Sequence, residues 1–345
     1  MFKKNIFAAA ILFAAVFLFS NLANSQTLLL LNSGRDYCYI YSVNQKKILA
    51  KYKVCEKKAS CTDIVPLKKG FLVIPHRLNI NVDATELYVY NSDFSKIIKK
   101  IPVEKSPYKA FVFGENKALI NHTFFSFERM KFVAEIVNLN TLKIEKIMYF
   151  DGIPAGIIKL FGDYYAVIED VRGVVKGTKL VNLKTEEFFL VNNPYLSSNV
   201  VALNDILYCA VNDYGEKDYA NALFEIVPSM LSKVYSSVKK VYQFKNPKFP
   251  YILGLAGNFI VIGFTNHSIK SNFNKICLFD TKNKETFFLQ SCFGPECMAV
   301  SKDKIFVAGL SSECITEISV SEKKSKIIKI SDTIPGFSSI RIIKD

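Results

Sequence analysis

The sequence predicts an all-β fold: a seven-bladed β-propeller of four-stranded antiparallel blades, closed by pairing N- and C-terminal strands within one blade. Three observations predict it. Apolar hairpin segments recur along the whole chain, each spacing holds four short strands, and the two ends supply complementary parts of one blade.

The recurring segments end at Ser42, Asn91, Asn138, Asn182, Val227, Asp280 and Ser319, for example Tyr39-Ile40-Tyr41-Ser42 and Glu135-Ile136-Val137-Asn138. Their spacings of 49, 47, 44, 45, 53 and 39 residues average about 46, the length of a four-stranded blade. Each is preceded by an apolar run: Leu28–Leu31, Phe71–Ile74, Ala118–Ile120, Tyr164–Ile168, Ile206–Val211, Phe259–Ile262 and Ile305–Ala308. A strand with one wet face alternates apolar and polar residues. These runs mostly do not, so both of their faces are buried, as in the second strand of a stacked blade. Helical periodicity is weak, with Pro228–Lys240 the one helical candidate. The mature chain starts on a second strand and ends on Ser338–Lys344, a first strand without a blade. Joining the two completes seven blades in one domain, residues 26–345.

Residues 1–25 have the layout of a secretory signal peptide. Met1-Phe2-Lys3-Lys4 is a positive start, Ile6–Phe19 is an apolar stretch of 14, and Ala23-Asn24-Ser25 precedes a cut before Gln26. Fourteen residues fall short of the roughly 20 that span a bilayer. No cysteine suited to lipidation follows before Cys38. The expected location is extracytoplasmic, periplasmic or secreted, with no transmembrane segment after cleavage. The formal charge of +14 is spread without a long basic run. That distribution, with no groove of interleaved aromatic and basic residues, argues against a nucleic-acid partner.

Two stretches resemble YVTN-type repeats of the lactonase-like seven-bladed propeller superfamily. One is Leu87–His122, and the other is Ile276–Gly309, in which Gly294-Pro295-Glu296-Cys297-Met298-Ala299-Val300 leads into Ser301-Lys302-Asp303-Lys304. The resemblance implies the architecture and carries no functional residue across. The signature tetrapeptide is blurred, turn glycines are often replaced, and the absence of tryptophan excludes WD repeats.

Catalytic signatures are missing. No Gly-x-Ser-x-Gly elbow, His-Glu-x-x-His pair or phosphate-binding glycine loop occurs, and three histidines are few for copper or haem chemistry. No cofactor and no metal site is expected. His76, His122 and His267 all follow second strands, on the face shared by the connections after second and fourth strands. The loops there carry mixed polar groups: Arg35, Arg77, Arg129, Glu169, Asp170, Arg172, Asp213 and Tyr214. Long loops on a rigid scaffold are a usual place for recognition. This face is therefore the expected binding surface for a protein or envelope-component partner, and the alternative is a lactonase-like hydrolase working in the central channel. Inner strands such as Ala110–Phe113, Pro154–Ile158 and Leu253–Ala256 are mostly neutral, which favours binding.

All eight cysteines lie after residue 25. Cys55 with Cys61, and Cys292 with Cys297, occupy corresponding connections between blades and are expected to form two local disulfides. Cys38, Cys209, Cys277 and Cys314 are expected to pack as small core residues. Paired lysines around hairpin turns and outermost strands fit edge protection against aggregation or attraction to an anionic surface. Asn121-His122-Thr123 and Asn266-His267-Ser268 match the glycosylation sequon.

Overall fold

The computed structural model describes residues 26–32, 37–54, 60–79, 82–169, 178–191, 200–211, 220–227, 237–245, 249–264, 274–309, 312–330 and 336–344. Every regular element among them is a strand. Seven antiparallel sheets of four strands form the ring, with one added pair, Val82–Asp83, on the second strand of blade 2. Blade 1 takes its first strand, Phe337–Lys344, from the C-terminus and its second, Thr27–Asn32, from the N-terminus. The predicted closure holds.

The unbroken apolar runs follow from this stacking. Seven apolar clusters fill the ring, one between each pair of neighbouring blades. In the second strand of blade 1, Leu28 and Leu30 pack toward blade 7 while Leu29 and Leu31 pack toward blade 2. Alternating side chains point to opposite faces, so a strand between two blades needs apolar residues at every position.

The repeat boundaries also have a physical cause. Asn138, Asn182 and Asp280 each end a third strand, and each Oδ1 accepts the backbone N–H groups two and three residues on. Such side-chain turns take the place of a glycine turn. The residue that follows in the left-handed region is Lys46, Leu142, Glu186, Lys284 or Lys323, with φ of 51, 55, 62, 59 and 54°. This accounts for the replaced turn glycines.

The helical expectation is corrected at its C-terminal end. Ser237–Gln243 is the outermost strand of blade 5, because its residues complete the edge beside Ala222–Val227; residues 228–236 lie outside those described. Residues 1–25 also lie outside them. No described helix is long and apolar enough to cross a membrane.

Candidate functional site: the channel rim on the loop-rich face

The first strands line the central channel, and six of them begin with the same irregularity. Pairing with the second strand slips by one residue near the start of the strand, leaving Ser338, Thr62, Tyr108, Ala155, Leu253 and Glu296 unmatched in blades 1, 2, 3, 4, 6 and 7. In blade 5 the corresponding position lies outside the described residues. Proline stands immediately before the slip in three blades, Pro107, Pro154 and Pro295. It brings no N–H to the ladder, so the slip forfeits no bond there. A bulge re-aims one side chain and strengthens the local twist. Here the residue before each slip is buried, whereas the bulged residue is half-buried or exposed. Six blades thus offer one residue each to the channel rim on the loop-rich face.

The rim residues Ala155, Leu253 and Glu296 also line a channel cavity of about 700 Å³. Its described wall includes Phe111, Ile157, Val201, Leu255 and Met298, and more of its exposed lining is polar than apolar. Lys109, Lys159, Glu296 and Arg341 are its charged members, and all four fall outside the neutral inner-strand segments Ala110–Phe113, Pro154–Ile158 and Leu253–Ala256. Arg341 is immobilised: Nη2 lies 3.1 and 3.0 Å from the two Asp63 oxygens, and Nε donates to the Ile64 carbonyl at 3.2 Å. Asp63 is fully buried. It also accepts from Ser339 Oγ at 2.6 Å, Ile64 N at 2.8 Å and Ala110 N at 3.1 Å. One carboxylate therefore ties together the inner strands of blades 1, 2 and 3, beside the closure of the ring.

Tyr251 and Cys297 stand behind Glu296. The Tyr251 ring lies against Gly263, where a Cβ would come within 2.9 Å of it. Burial, then the Glu296 charge, pushes the Tyr251 phenol up. Burial likewise raises the Cys297 thiol to about 12, so at neutral pH it is protonated and a poor nucleophile.

The expected site residues separate into distinct environments. Thr62 Oγ1 donates to the Tyr108 carbonyl, and the His76 ring meets Tyr108 edge-on at 5.5 Å. His76 therefore sits beside the rim, and burial lowers its pKa ahead of the countering effect of the Pro107 backbone. Arg77 is exposed and 3.9 Å from Asp83. His122 is turned away from the face and fully buried. Its Nδ1 is hydrogen-bonded to the Lys105 carbonyl at 3.0 Å, and its Nε2 lies 3.0 Å from Glu135 Oε2 without hydrogen-bond geometry, so the ring faces into the blade. Asn121 is buried as well, donating to the Pro154 carbonyl at 2.7 Å, which removes this sequon from the surface. Arg129 is exposed over the Tyr149 ring at 4.4 Å, and Glu169 is exposed at the end of a second strand. Arg35, Asp170, Arg172, Asp213, Tyr214 and His267 lie outside the described residues. Among the described residues no group of three His, Cys, Asp or Glu side chains could hold a metal ion.

Between the second and third strands of blade 3, a hairpin rises from the same face. Its tip leaves Phe127 79% and Met130 57% exposed, with Phe125 set between Phe127 and Phe132. Sequence reasoning chose Arg129 here by charge and missed its apolar neighbours.

The disulfide expectation is corrected in blade 7. Cys292 bonds to Cys314, not to Cys297. The backbone N–H of Cys292 donates to Thr316 Oγ1 at 2.8 Å, which sets Cys292 alongside the third strand that Cys314 opens. Cys297 lies past the bulge, its thiol directed at the carbonyls of Ala308 and Phe337. Cys61 is disulfide-bonded, and its expected partner Cys55 lies outside the described residues. Cys38, Cys209 and Cys277 are buried as expected, whereas Cys314, expected to be a fourth core cysteine, is the disulfide partner of Cys292.

No protein-family model matches the chain, and no curated protein does. Solved structures do match. A functionally unknown protein from Desulfotomaculum acetoxidans DSM 771 is 12% identical, over 92% of this chain and 99% of its own, with a TM-score of 0.58. Apo AztD from Citrobacter koseri is 12% identical, over 92% and 98%, with a TM-score of 0.53. A protein of unknown function from Bacteroides caccae is 12% identical, over 93% and 100%, with a TM-score of 0.53. At such identities the likeness extends to the fold alone.

Proposed function

We propose that this is an exported propeller that binds a protein, glycan or other envelope component across its loop-rich face, with the channel rim at the centre of the contact. The observation that carries the reading is the repeated bulge, which presents one side chain from each of six blades in a ring. The ring offers the Tyr108 phenol, aliphatic groups and the single Glu296 carboxylate, which suit recognition, while the Thr62 hydroxyl is engaged with the Tyr108 carbonyl and that of Ser338 is buried. The hairpin bearing Phe127 and Met130 extends the surface with apolar anchors of the kind that dominate interface energetics. A channel hydrolase would need an acid and a base converging on one carbonyl. Glu296 is the one carboxylate in the described cavity wall, and no histidine joins it.

Two observations support export. Residues 1–25 have signal-peptide layout, and Cys292–Cys314 is a disulfide of the type that persists outside the cytoplasm. The YVTN-type kinship belongs with this proposal and rests on the two quoted repeats.

The test uses the exported protein as bait against its own envelope fraction. One variant combines Tyr108→Ala, Phe127→Ala and Met130→Ala, and a second carries Arg77→Ala. Loss of a wild-type partner from the triple variant, with unchanged thermal melting, supports the reading. Equal recovery of that partner by the triple variant would sink it.

A further inference from the structure

The lysine pairs acquire a common address once the ring is assembled. Connections after first and third strands open on the face opposite the long loops. In blades 7, 1 and 2, which are consecutive, those turns and the strand starts beside them carry Lys46, Lys47, Lys68, Lys69, Lys302 and Lys324, all exposed. Opposing charge is sparse and occupied. Asp303 accepts the Ser321 N–H at 2.9 Å together with its hydroxyl, and Glu322 lies 3.6 Å from Lys324. Asp93 and Lys96, in the remaining turn of blade 2, cancel. Ion pairs occur on both sides of the ring, Lys117 with Glu145 at 2.7 Å and Lys146 with Glu186 at 2.8 Å in blades 3 and 4, and Lys304 with Glu317 and Lys324 with Glu322 in blade 7, but Lys46, Lys47, Lys68, Lys69 and Lys302 have no ion pair among the described residues. The positive potential is thus polarised toward the closure of the ring.

Both ends of the chain converge on the same patch. Thr27 pairs with Lys344. The Gln26 carbonyl accepts from Val43 N at 3.0 Å, and its side-chain amide donates to Ser301 Oγ at 2.9 Å. Gln26 and Lys344 therefore lie beside the lysine turns of blades 1 and 7.

We propose that this lysine face docks on an anionic phospholipid bilayer and turns the loop-rich face away from it. Clustered lysines next to an anionic lipid surface add favourable terms that fall off within a Debye length. The attachment is therefore peripheral and sensitive to salt. It needs no apolar insertion. The proposal does not depend on the rim, which lies on the other face.

The experiment is vesicle flotation with the chain from Gln26 onward, which keeps every described strand. Vesicles are phosphatidylcholine alone or mixed with phosphatidylglycerol. Flotation with the anionic vesicles only, abolished by high salt, is expected. Combining Lys46→Glu, Lys47→Glu, Lys68→Glu and Lys69→Glu should weaken it about tenfold or more. The independent pair Lys302→Glu and Lys324→Glu should weaken it too. A charge-matched control on the loop-rich face, Lys53→Glu, Lys105→Glu, Lys245→Glu and Lys329→Glu, all exposed near the ends of fourth strands or just after them, should float nearly as wild type. Equal loss in the control would overturn the face assignment. Absent flotation with anionic vesicles, or capture by polyphosphate without it, would overturn the docking itself. Partner capture through Tyr108 and Phe127 is a separate readout, so the two proposals fail separately.

Discussion

Asp63 concentrates more of the ring's stability than any surface contact around it. It is buried, accepts two backbone N–H groups and one hydroxyl, and neutralises Arg341. Removing one partner of a buried charge pair leaves the other uncompensated. Asp63→Ala should therefore cost about 3–5 kcal/mol, measured by urea unfolding, while Lys99→Ala on the rim of the turn face should cost far less. His76 makes a second prediction at this scale. Burial holds its folded pKa below the unfolded value, so the neutral ring is the form the fold accepts. The stability involved is fully present above the unfolded pKa of about 6.5 and is lost as pH falls through the folded pKa. Thermal melts of wild type and His76→Gln should converge in alkali and diverge in acid, with wild type losing more. Parallel pH profiles would contradict this.

At the scale of the element, the second strands were legible because burial on both sides demands apolar residues throughout. Third-strand ends were legible because Asn138, Asn182 and Asp280 cap their turns. The bulges were not. A one-residue slip is a relation between two strands, and its sole trace in one strand is the proline at 107, 154 and 295. The disulfide failed for a related reason. Four residues separate Cys292 from Cys297, but the bulge at Glu296 turns the later thiol toward Ala308 and Phe337. Non-reducing peptide mapping should therefore yield a crosslinked Cys292–Cys314 peptide and an unmodified Cys297. Replacing both bonded cysteines by serine should lower stability by about 2–4 kcal/mol. A Cys292–Cys297 peptide would refute the assignment. Lysines on outer strands have a structural use as well. Lys99 Nζ donates to the Leu142 carbonyl at 2.8 Å, and Lys146 Nζ to the Leu183 carbonyl at 3.1 Å, each pinning a turn of the next blade.

At the scale of the molecule, the ring separates two faces of different character. One bears the rim residues and the blade 3 hairpin, and the other bears both termini and the lysine turns. Their separation was legible from strand count, since an up-and-down blade sends alternate connections to opposite faces. Which loop residues meet a partner was not, because loops follow no strand period and converge only through the ring. The most direct measurement is photo-crosslinking in the intact producing cell, with a photoreactive residue at position 127 or 108 on the loop-rich face, or at 161 on the opposite face. A discrete, reproducible adduct is expected from positions 127 and 108 and not from position 161. An adduct from 161 alone, or none from either loop-face position, would contradict binding through the loop-rich face.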